Sequence, residues 1–213
     1  MRFRDRRAAG HDLGERLRAE AFDDPVVLAL PRGGVPVGYE VAVALQAPLD
    51  VLVVRKVGAP GHREYGIGAI AEGGTVVRDD SAVRSVGLSA AGFATLAEAE
   101  RSELDRRVHR YRNGRSLPDL RGRTVILVDD GLATGVTAEA ALRCVQGADP
   151  ERVVIAVPVA APDTAARLRR LADDVICLAE PAGFAAVGRW YEHFDQTSDE
   201  EVARLLAAAQ PSS

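Results

Sequence analysis

The sequence predicts an α/β fold: a doubly wound, mainly parallel sheet with flanking helices. Three observations predict it. Short apolar runs recur at Val26–Leu30, Leu49–Val54, Val125–Val128, Val153–Val159 and Val175–Leu178. They are close to continuous rather than alternating, as strands buried on both faces require. Helical spacing fills most of the intervals between them, and repeated strand-helix alternation builds parallel sheets. Gly-rich or charged turns follow several of the runs, at the carboxyl ends where such sheets bind ligands. With 213 residues, 47% of them hydrophobic, the chain is long enough for one buried core with an elaboration and short for two, so a single domain over 1–213 is expected.

Each element follows in order. Residues 8–22 carry Leu13, Leu17, Ala21 and Phe22 at helical spacing among charges, an amphipathic helix that Asp23-Asp24-Pro25 stops. After the strand Val26–Leu30 comes Pro31-Arg32-Gly33-Gly34-Val35-Pro36, and a helix runs through Val37–Leu45. Arg32 supplies a forked donor and the two glycines allow close backbone approach, so this turn is a candidate anion cradle. Leu49–Val54 reads as the next strand, with Arg55 and Lys56 at its exit. Residues 57–66 mix Gly, Pro and charges and read as a mobile flap. Gly66-Ile67-Gly68-Ala69-Ile70-Ala71 matches a dinucleotide fingerprint, but Gly73-Gly74 turns the chain at once into Thr75-Val76-Val77-Arg78, so a β-hairpin is predicted instead. Residues 89–113 form a long helix with Phe93, Ala97, Leu104, Val108 and Tyr111 inward, Ser89 as N-cap and Asn113-Gly114 as its stop. Glu103 and Arg107 make an i,i+4 pair on its wet face.

The chain is organised around Val125-Ile126-Leu127-Val128-Asp129-Asp130-Gly131-Leu132-Ala133-Thr134-Gly135-Val136-Thr137. A buried strand ends in two carboxylates. A turn with two glycines follows, able to point its N–H groups at an anion, and a helix from Val136 to Gln146 brings its positive end to the same spot. The acids would repel a phosphate but suit neutral hydroxyls or a bridging cation, so the strip as a whole is shaped for a sugar phosphate. Beyond it, Val153–Val159 is a strand, Asp163–Leu171 a helix and Val175–Leu178 the last strand. Residues 180–188 then leave the sheet with Phe184 exposed, and Ser198-Asp199-Glu200-Glu201 is a capping box opening a final helix with Val202, Leu205 and Leu206 inward.

Composition narrows the function classes. Net charge is -4, so no basic field favours nucleic acid. The cations are 26 Arg and one Lys, which makes Lys56 conspicuous. Cys144 and Cys177 stand far apart in apolar contexts and read as buried thiols of a reducing, cytoplasmic compartment. His11, His62, His109 and His193 show no ligand spacing. The charged N-terminus is followed by no apolar core, so no signal peptide is expected, and no window approaches a membrane span. A Walker B strand also ends in acids, but a P-loop needs Gly-x-x-x-x-Gly-Lys-Ser/Thr, and Lys56 follows Arg55 and precedes Val57.

Asp129 to Thr137 resemble the phosphoribosyl-diphosphate (PRPP) binding motif of type I phosphoribosyltransferases: an apolar strand, two acids, a short spacer, then Thr-Gly-x-Thr. The resemblance implies transfer of the 5-phosphoribosyl group of PRPP to a nitrogen acceptor, nucleobase-like, with release of pyrophosphate. Gly131, Leu132, Ala133, Thr134, Gly135, Val136 and Thr137 would hold the 5′-phosphate, and Asp129 and Asp130 the ribose, with a catalytic part. Arg32, Gly33 and Gly34 would hold pyrophosphate, and a cis peptide is expected at Pro31–Arg32. Arg55 and Lys56 would stabilise the departing charge, Lys56 as a catalytic group, in a homodimer with that region at the interface. The family's catalytic loop corresponds to 57–66, where Glu64-Tyr65-Gly66 is similar to a stretch of adenine enzymes in which the Glu moves a proton; a solvated Glu64 is the other reading. Phe184, and less so Trp190 or Tyr191, would stack on the base, or else belong to the core. Mg²⁺ would be held mainly by PRPP, with no dedicated protein site. A small hood is expected from 1–22, 80–118 and 180–213. Ala133 stands where hypoxanthine-guanine enzymes carry an Asp, which disfavours a 6-oxopurine acceptor. A PRPP-sensing regulator without chemistry is the alternative; a PRPP synthetase would need an ATP site and more chain.

Overall fold

A computed structural model describes residues 2–209, and for Arg63 and Glu64 the backbone alone. In chain order, α1 is Arg6–Arg18, β1 Pro25–Ala29, α2 Gly34–Leu45, β2 Leu49–Val51, β3 Val54–Ala59, β4 His62–Ala71 and β5 Val76–Arg78. Then come α3 (Asp80–Ser85), α4 (Ala90–Arg112), β6 (Thr124–Val128), α5 (Val136–Gln146), β7 (Arg152–Val159), α6 (Pro162–Leu168), β8 (Asp174–Ala179) and α7 (Asp199–Ala208). The continuous apolar runs pair as a five-stranded, all-parallel sheet in the order β2-β1-β6-β7-β8.

Burial on both faces explains the uninterrupted apolarity. Val27 and Ala29 of β1 enter one core with Leu13, Leu17, Val41 and Leu205 of α1, α2 and α7. Their neighbours Val26 and Leu28 enter the opposite core with Leu142, Val145 and Leu168 of α5 and α6. A strand between two helical layers has no polar face to alternate. Local signals set the helix ends: Asp5 caps α1 by accepting from Ala8 N–H, Ser89 caps α4, and Ser198 caps α7 by accepting from Glu201 N–H. Asn113, in the left-handed region at φ 49°, closes α4 as expected. Cys144 and Cys177 are free and half-buried, and burial pushes the Cys177 thiol up to about 12. Among the described residues no helix is long and apolar enough to cross a membrane.

Two expectations need correction. The run Leu49–Val54 is not one strand: the parallel sheet keeps Leu49–Val51, and the chain then leaves it for a separate antiparallel sheet, β3-β4-β5. Glu72 makes that departure, its side chain accepting from Val53 N–H at 3.2 Å and its own N–H donating to Val53 O at 3.0 Å. Residues 57–66 are likewise a β-hairpin rather than an open flap. Ala59 pairs with His62 at its tip, and Val57 and Ala59 are buried with Phe93 and Ala97 of α4. The apolar positions of this Gly- and Pro-rich stretch thus find a partner far along the chain. The β4-β5 hairpin forms as predicted, with Gly73 and Gly74 at φ 75° and 87°.

A buried ion network joins the two sheets. Arg112, 3% exposed at the last turn of α4, pairs with Glu72, lies 3.5 Å from Asp50 and donates to Val51 O at 2.7 Å. Nothing in its local sequence distinguishes Arg112 from the other arginines of α4. Removing one partner of a buried network leaves the other charge uncompensated, which costs about 3–5 kcal/mol. Arg112→Met should therefore lower unfolding free energy by about that amount in a denaturant titration. A loss of only about 0–1 kcal/mol, the size expected of an exposed pair, would contradict this account.

Candidate functional site

From β1 the chain winds outward to β2, and from β6 it winds the other way to β7 and β8. The winding therefore reverses between β1 and β6, and the crevice outside their carboxyl ends is where open α/β sheets take ligands. Both sequence-predicted cradles begin there. Residues 31–34 follow β1 and residues 129–137 follow β6, and Leu30 N–H donates to Val128 O at 2.8 Å between them. The Pro31–Arg32 peptide is cis, as the resemblance implied.

The first turn of α2 lies directly on the end of β6. A Cβ on Gly33 would stand 2.1 Å from Asp130 Oδ2, and one on Gly34 would stand 2.7 Å from Val128 O. Only glycine permits that approach. The N-caps of α2 and α5, Gly33 and Gly135, offer no capping side chain. At α2 the Gly34 and Val35 N–H groups turn back to Leu30 O and Arg32 O, at 3.0 and 3.1 Å, and the positive ends of both helix dipoles face the crevice. Gly135 sits at φ 70°, and its Cβ position would be 2.5 Å from Thr164 Cγ2. The 131–137 turn is tied from its outer side: Thr164 Oγ1 donates to Ala133 O at 2.6 Å and Arg167 Nη2 to Thr134 O at 2.7 Å. Leu132 and Val136 are buried and anchor the turn in the core, while Ala133 and Thr134 are exposed and Thr137 half-exposed. With these carbonyls bonded outward, the turn can offer its N–H groups to an anion.

The two acids are held where charge is costly. Burial, then the neighbouring Asp130, pushes the Asp129 carboxyl well above the usual carboxylate range. Burial raises Asp130 also, opposed by Arg6, whose Nε donates to Asp130 Oδ2 at 2.7 Å. Asp129 Oδ1 accepts from the Asp130 N–H at 2.8 Å. The Arg6 guanidinium lies 3.8 Å above the Phe194 ring, and its Nη1 donates to Asp195 O at 2.6 Å. Phe194 stacks in turn on Tyr191, at 5.0 Å between centroids, and the Tyr191 hydroxyl donates to Asp130 O at 2.5 Å. The segment before α1 and the segment before α7 thus meet beside the acids, with Phe3 N–H donating to Trp190 O and Glu192 N–H to Phe3 O, each at 2.8 Å. Sequence reading missed Arg6 and Phe194, because no local motif marks an arginine whose partner is 124 residues away.

The remaining predicted residues are more dispersed. Arg32 turns toward Asp199 at the start of α7, 3.9 Å away, where Asp199 also takes the Tyr111 hydroxyl at 2.6 Å. Arg55 and Lys56 stand inside β3 rather than at the exit of a parallel strand, because the chain has already changed sheets. Arg55 pairs with Glu100 of α4, and both cations line a cleft of about 480 Å³ with Pro60, Gly61 and Leu96. The side chain of Glu64 lies outside the described residues. Phe184 and Trp190 are half-buried in a cluster with Phe3, Val159 and Tyr191, and Val187 of the same segment would touch a Cβ on Gly131 at 2.6 Å. Tyr191 is a core residue, 1% exposed. Among the described residues no group of three or more His, Cys, Asp or Glu is gathered as a metal site.

A phosphoribosyl transferase domain model matches residues 7–193. Two Mycobacterium tuberculosis proteins, "Putative phosphoribosyl transferase Rv0571c" of strain H37Rv and its counterpart in strain CDC 1551, are 49% identical over 207 residues. That alignment takes in 97% of this chain and 47% of each relative, so the chain spans about half the length of the curated relatives it matches. The crystal structure of TT1426 from Thermus thermophilus is 46% identical, with a TM-score of 0.83 covering 99% of this chain and 100% of that one. A domain match that takes in β1, β6 and the turns that follow them places this chain in the phosphoribosyl transferase family.

Proposed function

We propose that this chain transfers the 5-phosphoribosyl group of PRPP to a nitrogen of a small, nucleobase-like acceptor. The observation that carries the reading is the meeting of two helix N-termini, neither with a side-chain cap, around an acid pair at the winding reversal. In this reading the acceptor nitrogen bonds to C1′ while the C1′–oxygen bond breaks. Pyrophosphate leaves with the electron pair and the acceptor gives up a proton. Positive charge builds on the ribose ring on the way, so the protein must align the groups and stabilise charge rather than supply a nucleophile.

The residues divide that work. N–H groups of 131–137 and the Thr134 and Thr137 hydroxyls would hold the 5′-phosphate at the α5 terminus. Asp129 and Asp130 would accept from the ribose hydroxyls and face the developing cation. Their burial supports this role, since an acid pair in a low dielectric acts strongly on a charge that appears beside it. Arg32, Gly33 and Gly34 would receive pyrophosphate, which arrives with Mg²⁺ as part of the substrate; the metal would neutralise leaving-group charge. Arg55 and Lys56 would act on the same group, from this chain or from the second subunit of a homodimer. Phe184 and Trp190 would border the acceptor. The same composition that argued for a cytoplasmic setting supports a free small-molecule acceptor over nucleic acid.

Isothermal calorimetry with PRPP and Mg²⁺, then pyrophosphate release across a panel of bases, tests the proposal. Saturable binding with turnover on at least one acceptor is expected. No binding would sink it, and binding without turnover on any acceptor would favour a PRPP-sensing protein instead. Asp130→Asn should lower turnover by about 100-fold or more with the fold retained by circular dichroism at the assay temperature. Near-normal activity would remove Asp130 from the mechanism. Gly33→Ala, whose methyl must displace the Asp130 carboxylate, should weaken PRPP by about ten-fold or more while the sheet still folds. Unchanged affinity would show that the two turns need not touch.

A further inference from the structure

We propose that Arg6 is a positioning residue of this site: it clamps Asp130 through Oδ2 and leaves the other carboxylate oxygen for a sugar hydroxyl. The inference rests on the reading of Asp130 as a sugar-facing acid. Arg6 is built in rather than draped over the surface. Its side chain is only 12% exposed, against 14% for Asp130, and its contacts come from three directions. Nε is on the carboxylate, Nη1 is on the Asp195 carbonyl, and the flat face of the guanidinium lies on Phe194. A planar fork held at three points has little freedom to turn, and lysine cannot reproduce that set.

The aromatic stack gives the clamp its precision. Phe194 is sandwiched, with Arg6 on one side and Tyr191 on the other, although the residue is 37% exposed. Both its faces are taken, so its part is to seat the guanidinium, not to stack on an acceptor. Tyr191 then fixes the backbone of the same acid through Asp130 O. Asp130 is thereby held at its side chain by Arg6 and at its main chain by Tyr191, from segments far apart in the sequence. The charged and titratable groups that bear on it are Arg6 from α1, Asp129 from its own strand end and Tyr191 from the C-terminal segment. From α2 it meets Gly33, which brings no charge.

Two readouts test the clamp, one with ligand and one without. In the free protein, the carboxyl carbon of Asp130 is followed by NMR from acid to neutral pH in wild type, Arg6→Gln and Arg6→Lys. Loss of the guanidinium removes the main charge that opposes burial, so Arg6→Gln should protonate Asp130 at a pH about one unit or more higher. Arg6→Lys should recover part of that shift. Arg7→Gln, which removes an exposed partner of Glu40, should leave the titration where it was. With PRPP and Mg²⁺, Arg6→Gln should bind about ten-fold more weakly at neutral pH and lose affinity at a higher pH on acidification. An Asp130 titration unmoved in Arg6→Gln would overturn the proposal, as would PRPP affinity equal to or tighter than wild type. The last result would make Arg6 a plug in the site. Failure of wild type to bind PRPP would sink the functional reading alone, since the ligand-free titration would still report whether Arg6 governs Asp130.

Discussion

The arrangement depends on one close approach. The first turn of α2 touches the end of β6 because Gly33 and Gly34 carry no Cβ, and a methyl at either position would overlap Asp130 Oδ2 or the Val128 carbonyl. That contact brings two helix N-termini to one crevice. Were the turns farther apart, each would be an ordinary strand-to-helix connection with weak affinity for an anion. Together they set two helix N-termini, each carrying a positive partial charge, beside two buried carboxylates. That charge pattern suits the ligand proposed above, anionic at its ends and hydroxylated between.

Two interior strands make this possible. β1 and β6 carry no charged residue and are buried on both faces, so Asp129 and Asp130 stand just past the last hydrogen-bonded residue of β6, Val128. Their local surroundings are still dry, which is why both carboxyls are pushed upward. Arg112 solves the matching problem where the chain passes from one sheet to the other. It sits among Glu72, Asp50 and the Val51 carbonyl, and its cost of burial is offset only because those partners are all present.

Asp130 is flanked by the segment before α7 and by the start of α1. Phe3 forms a parallel bridge to Tyr191, and the Arg6-Phe194-Tyr191 stack rests on the acid pair. The segments that precede α1 and α7 are short on regular structure. They are held by aromatic stacking, by main-chain hydrogen bonds and by one largely buried ion pair. Such contacts depend on the sheet bringing both segments to the same edge, beside Asp130.

Much of this protein was legible in its residues. Continuous apolar runs identified the parallel strands, helical spacing identified α4 and α5 nearly to the residue, and Asp129 to Thr137 marked where the crevice would open. Those signals are local: a buried strand, a cap or a glycine turn is written within about ten residues, because the physics that sets it acts over one or two turns of chain. The tertiary structure decided what depends on partners far along the chain. Leu49–Val54 divides between two sheets because Glu72 binds its middle, and residues 57–66 fold as a hairpin because α4 offers Val57 and Ala59 an apolar seat. Arg6 and Arg112 look like any of the other arginines until folding pairs each with a buried acid. Hydrophobic periodicity carries no information about which distant charges will meet. A pair such as Glu103 and Arg107 follows the helical i,i+4 rule. One between remote segments needs only proximity in space and leaves no spacing rule in the sequence.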